Sequence, residues 1–288
     1  MIILNKKTDT IPSHAIYIGR GSGLGNPYPI GENGDRVAVI NQYRVYLEKE
    51  INQRNPLILY DMLKLQEDSA LSCYCKPSPC HGDIIESIWR ERVSSLENQI
   101  SMSYAGIGAR ATPERILKLM QKVSNRLGEL GFILRSGGAD GADTAFSLGS
   151  GRSEIYLPWP NFNGINSEYQ NPSLEALRLA EKVHPNGKNL KMSVKNLMAR
   201  NCHQILGASL REAADFVVCW TEDAVETTKM RTQKTGGTGQ AIELADTFRI
   251  PVFNLARPDA LERLGERVKL ILSLRIDAGL TDVVAMSQ

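Results

Sequence analysis

The chain has 288 residues, more than one compact unit usually holds and comfortable for two. Apolar residues make up 42% and charged residues 23%, ordinary globular usage that excludes a disordered or fibrous chain. Its 34 basic and 32 acidic side chains leave a net charge of +2, which disfavours nucleic acid held mainly through phosphates and leaves small anionic ligands open.

The longest apolar stretches, such as Asp215 to Trp220, fall far short of the ~20 residues that span a bilayer. The start, Met1 to Lys7, lacks the charge-then-apolar order of a signal peptide. A cytoplasmic protein with no membrane partner is expected. Its five cysteines, an odd count, are then thiols or metal ligands rather than disulfides.

Taken in chain order, the first hundred residues predict strands at Ala15–Ile18, Pro56–Tyr60 and Leu71–Cys75. Helical character lies between and after them, at Val37–Glu50 and Asp83–Ser94, so a small α/β or α+β domain is expected over residues 1–98. The polar stretch Ser94–Gln99 separates it from a second domain, residues 99–288. From Ser103 the pattern becomes strand, glycine turn, long helix, repeated, which predicts a mainly parallel sheet flanked by helices in a Rossmann-like α/β fold. The clearest helix is Pro113–Leu130, with Thr112 as its cap and Ile116, Met120, Val123, Leu127 and Leu130 on one face. Strands are expected at Phe132–Leu134, Glu154–Leu157, Phe216–Cys219 and Pro251–Phe253.

Parallel sheets place ligands at the carboxyl ends of their strands, and four segments fall there. In the first, Gly106, Gly108 and Arg110 lie in a run of small residues before a helix, where glycine serves close ligand approach or simple packing. The second, Ser136-Gly137-Gly138-Ala139-Asp140-Gly141-Ala142-Asp143, exposes backbone N–H groups just ahead of a helix start, an arrangement suited to phosphate. Asp140 and Asp143 suit ribose hydroxyls or helix capping. The third, Gly236-Gly237-Thr238-Gly239, opens another helix with Glu243 one turn inside it. The fourth is the pair Arg200 and Asn201 on a helix over about Ser193–Leu210, the arginine able to clamp a phosphate in bidentate fashion. Trp159, between two prolines, stacks on a base or anchors its loop. The polar segment Thr221–Thr235 reads as a lid or an insertion.

These runs, together with Ala214–Val218, resemble the superfamily that unites DNA-processing protein A with the Lonely Guy phosphoribohydrolases, the SLOG domains, over residues 103–256. The resemblance implies a nucleotide-binding Rossmannoid domain, a homo-oligomer and no cofactor. It also makes Arg200 and Glu243 the catalytic pair if the protein is an N-glycosidase. The later loop departs from the phosphoribohydrolase pattern at Thr235 and Gln240, where proline and threonine are usual, and Asn201 stands where lysine usually follows the arginine.

In the first domain, Ile18-Gly19-Arg20 with Gly25-Asn26-Pro27, and Cys73-Tyr74-Cys75-Lys76-Pro77 with Cys80-His81-Gly82, resemble a small family of unknown function frequent in bacteriophage proteins. A phage origin, and with it the host cytoplasm, agrees with that resemblance. Arg20 and Asn26 are candidate ligand contacts, and Cys80 and His81 a candidate reactive pair. Cys73, Cys75, Cys80 and His81 supply the four soft ligands a structural zinc needs, but their spacing departs from the usual two-to-four-residue knuckle, so no stoichiometric metal is expected.

The leading functional expectation is a protein that binds a nucleotide or ADP-ribose-like small molecule, sensing or sequestering a host-defence signal. The alternatives are an N-glycosidase acting on nucleoside 5′-monophosphates and a single-stranded DNA binder of the DNA-processing type.

Overall fold

The structure, a computed structural model, describes residues 1–184 and 186–277. The chain forms two compact units, one from Met1 to Glu97 and one from Asn98 onward.

The first unit has a three-stranded parallel sheet of order β1-β3-β2, formed by β1 (Ile2–Asn5), β2 (Ile16–Tyr17) and the central β3 (Ala70–Cys73). Helix α1 (Arg36–Asn52) starts where the Asp35 carboxylate accepts from the Ala38 N–H. It buries Val39, Tyr43, Leu47 and Ile51, spaced by four along one face. Helix α2 (Pro56–Leu63) replaces the strand expected at Pro56–Tyr60. Asn55 Oδ1 accepts from the N–H groups of Leu57 and Ile58, and Pro56 takes the first helical position, where its missing N–H costs nothing. A uniformly apolar run cannot reveal its period, so the cap decides. Helix α3 (His81–Ile88) continues into a π turn at Trp89–Val93. Strand β1 has no counterpart among the expected strands.

The second unit has a five-stranded, all-parallel sheet of order β6-β5-β4-β7-β8 with helices packed on it. Its strands are β4 (Ser103–Gly106), β5 (Ile133–Ser136), β6 (Ser153–Ile155), β7 (Phe216–Cys219) and β8 (Val252–Asn254). Helices α4 (Glu114–Glu129), α5 (Ala142–Gly149) and α9 (Ala260–Asp277) share one core with Tyr104, Leu134, Phe216, Val218 and Phe253. Helix α7 (Met192–Leu206) packs on β4 and β5 between α6 (Leu174–Val183) and α8 (Thr238–Thr247). The expected face of α4 is the buried one, through Ile116, Met120 and Leu127. Thr112 does not cap it: its hydroxyl donates to the Ala109 carbonyl, and Pro113 stands at the cap position with no side-chain bond. Strand order reverses between β4 and β7, the switch point at whose carboxyl edge such sheets open a crevice. Among the described residues no helix is long and apolar enough to cross a membrane.

Candidate functional site

Three loops leave the carboxyl edge around that switch point, and the first two are locked together. Ser136 Oγ donates to Gly106 O at 2.7 Å. A Cβ on Gly106 would lie 2.7 Å from Leu134 and from Phe146, one on Gly108 2.7 Å from Ala142, and one on Gly141 2.6 Å from Arg110 O. These three glycines are therefore glycine because protein already fills the space beside them. Gly138 and Gly141 also hold φ of +67° and +82°, which other residues adopt only under strain. Asn163 Nδ2 donates to Gly138 O at 3.0 Å, closing this loop from outside.

The anion cradle expected at Ser136–Asp143 is occupied from within. Asp143, 3% exposed, accepts from the Ala139 N–H at 3.1 Å and also takes up the Gly137 N–H. Its carboxylate stands where a phosphate was expected. Arg200 closes the arrangement, with Nη1 donating to Gly137 O at 2.6 Å and Nη2 3.6 Å from Asp143 Oδ2. Burial raises the Asp143 carboxyl above its ordinary range against the pull of Arg200, and burial lowers the Arg200 guanidinium. Arg200 also lies over the Phe162 ring, centroid 5.5 Å away. Arg110 and Asp140 are exposed at the rim.

Two donors here remain unmatched among the described residues, Arg200 Nε and Gln204 Nε2. Both press on Gly137, where a Cβ would fall 2.8 and 2.2 Å from them. Arg200 also lines a shallow 210 Å³ cleft with Tyr156, Tyr169 and His203. Gln204 was missed in the sequence, although it stands one turn beyond Arg200 on the same helix face.

The third loop differs. Gly236 has φ +59°, Gly237 begins α8, and a Cβ on either would meet nothing within 4 Å. No side chain caps α8, which follows directly on a 3-10 turn at Gln233–Thr235. Both glycines are exposed, whereas Thr238 and Gly239 are buried. Behind them Asn201 Nδ2 donates to Gln240 Oε1 at 3.1 Å, so adjacent residues of α7 reach the second loop through Arg200 and the start of α8 through Asn201. Glu243 is buried and ion-paired with Arg231, whose guanidinium also covers Gly239. Arg231 belongs to the segment expected to be a lid or an insertion. Asp223 ties that segment down by accepting from the Thr232 and Thr235 hydroxyls, and Lys234 pairs with Glu222 at 2.8 Å. Trp159 packs edge-on against Phe162 at 5.1 Å beside Leu157 and Ile165, the loop-anchor arrangement.

In the first unit a 420 Å³ cavity is lined by Arg20, Asn26, Cys73, Cys75 and His81, with Arg36 and Tyr74. Asn26 is committed to the fold, donating to Val39 O and accepting from the Tyr28 N–H. Arg20 is exposed. The cysteines that seemed badly spaced are brought together, because Cys73 ends β3 while Cys80 caps α3 and accepts from the Gly82 N–H. The Cys75 thiol is held down, at about 3, by hydrogen bonding with Cys80 first and His81 second.

Residues 3–91 match the profile of a domain of unknown function, DUF4326. No curated protein matches the chain. A solved structure of DNA processing protein A from Helicobacter pylori, described for its single-stranded DNA binding mode, is 14% identical over 63% of this chain and 95% of its own, with a TM-score of 0.33.

Proposed function

We propose that the second unit binds a nucleotide or ADP-ribose-like small molecule, with a phosphate on the backbone at Gly236 and Gly237. The observation that carries this reading is the start of α8, which no side chain caps and where two exposed glycines have open space beside their backbone. An exposed helix start of this kind favours an anion through its first N–H groups and its dipole. The strand-order switch between β4 and β7 supports a ligand at the same sheet edge. Binding without cleavage is the reading preferred over N-glycosidase chemistry, since Glu243 is engaged by Arg231 rather than free to face a sugar. A binder that leaves its ligand intact suits a sensing or sequestering role.

The test is calorimetric titration of the full chain with AMP and with ADP-ribose, followed by chromatographic recovery of the nucleotide. Saturable binding of at least one, recovered intact, is expected. Gly237→Asp places a carboxylate at the start of α8 without a steric clash and should weaken that binding at least tenfold. Absence of binding to both compounds, or full affinity in Gly237→Asp, removes the reading. Release of free base from AMP would establish the glycosidase instead.

A further inference from the structure

We infer that Cys73, Cys75, Cys80 and His81 form a binding site for one zinc-class divalent ion in the first unit. The three sulfur atoms lie within 4.8 Å of one another, with Cys73 Sγ and Cys80 Sγ 3.1 Å apart. His81 Nδ1 is 3.8 Å from Cys75 Sγ and 3.9 Å from Cys80 Sγ. Tetrahedral zinc with bonds of ~2.3 Å to sulfur and ~2.0 Å to nitrogen separates its sulfur ligands by ~3.8 Å and its sulfur and nitrogen ligands by ~3.5 Å. The Cys73–Cys80 separation is shorter than this and the two His81 separations are slightly longer; the three sulfurs form the tight group, and side-chain rotation brings His81 Nδ1 in as the fourth ligand.

The surroundings are those of a ligand set rather than of packed thiols. His81 Nε2 donates to the Ile18 carbonyl at 2.7 Å, which leaves Nδ1 as the lone-pair nitrogen of the neutral ring and turns it toward the sulfurs. The Cys75 N–H points to Cys73 Sγ and the Gly82 N–H to Cys80 Sγ, both at 3.3 Å, bonds that favour the thiolate a metal requires. No carboxylate belongs to the cluster: the nearby Asp83 pairs with Lys76 and accepts from the Cys80 N–H. Three soft sulfurs and an imidazole select zinc over magnesium or calcium.

The site also has a physical task. All four ligands fall within residues 73–81, the connection between the central strand and α3, in a unit whose strands are four, two and four residues long. An ion there ties the end of β3 to the start of α3, as small domains with limited cores often require. The short sequence spacing is no obstacle, because a strand end and a helix start face each other across one loop.

The experiment uses the full chain, purified under reductant without chelator, with elemental analysis and then replacement of the native metal by Co²⁺. About one zinc per chain is expected, together with thiolate-to-cobalt charge-transfer bands and the intense visible bands of a tetrahedral ion. Cys75→Ser alters the most accessible ligand and should weaken zinc at least tenfold while leaving nucleotide titrations of the second unit unchanged. The wild-type measurement stands whether or not a variant folds. Reduced wild-type chain that holds no stoichiometric zinc and gives no tetrahedral cobalt spectrum overturns the site, as does a metal-free chain carrying a Cys73–Cys80 disulfide under reductant.

Discussion

The loops at 136–143 and 235–239 both put consecutive glycines ahead of a helix, yet they end in opposite states. In the first, Asp143 turns back onto the N–H groups of Gly137 and Ala139, and Arg200 seals the carboxylate in place. In the second, no side chain caps the helix and the space beside Gly236 and Gly237 is open. A glycine-rich turn before a helix therefore supplies donors without deciding who uses them. One loop turns its own carboxylate onto its backbone, and the other leaves its glycines exposed to solvent.

The largest expected effect falls on the closed loop. Asp143→Ala removes one member of a buried charged pair and frees two backbone donors, so the second unit should lose about 3–5 kcal/mol in denaturant unfolding. A loss below about 1 kcal/mol would mean that the carboxylate does not organise the loop. Alanine at matched glycines sharpens the contrast. Gly141→Ala combines a left-handed backbone with a backbone oxygen 2.6 Å from the new methyl and should cost about 2–5 kcal/mol. Gly236→Ala meets only the backbone term, about 1–2 kcal/mol. Equal losses by thermal or chemical unfolding would erase the distinction between a filled and an open loop.

Smaller effects belong to the residues behind the open loop. Glu243→Gln keeps a hydrogen-bond acceptor for Arg231, so it should cost about 1 kcal/mol of stability and change nucleotide affinity less than about threefold in the same titration. Affinity that collapses in Glu243→Gln would place this carboxylate on the ligand rather than on Arg231.

Much of the second unit was legible in its residues. The repeated strand–turn–helix order, the four-and-three spacing in α4 and the apolar run Phe216–Cys219 are local properties, and the corresponding elements form close to where those patterns fall. Legibility failed where local signals were ambiguous. Pro56–Tyr60 is apolar throughout and carries no period, and only the Asn55 cap turns it into a helix. Thr112 has the chemistry of a cap but bonds the Ala109 carbonyl instead. Trp159 carried two readings, and its contact with Phe162 is the packed one.

By itself the sequence determined the parallel α/β order, the placement of both glycine loops ahead of helices, and the supply of Arg200, Glu243 and four soft ligands. Those depend on residue type and short-range periodicity, which the chain carries wherever it folds. Tertiary structure alone decided that Asp143 fills one cradle, that Arg231 engages Glu243, and that Cys73 meets Cys80 while Cys75 meets His81. Whether a backbone N–H is free, or a thiol has neighbours, depends on what packs beside it from elsewhere in the chain, and spacing along the sequence does not record that.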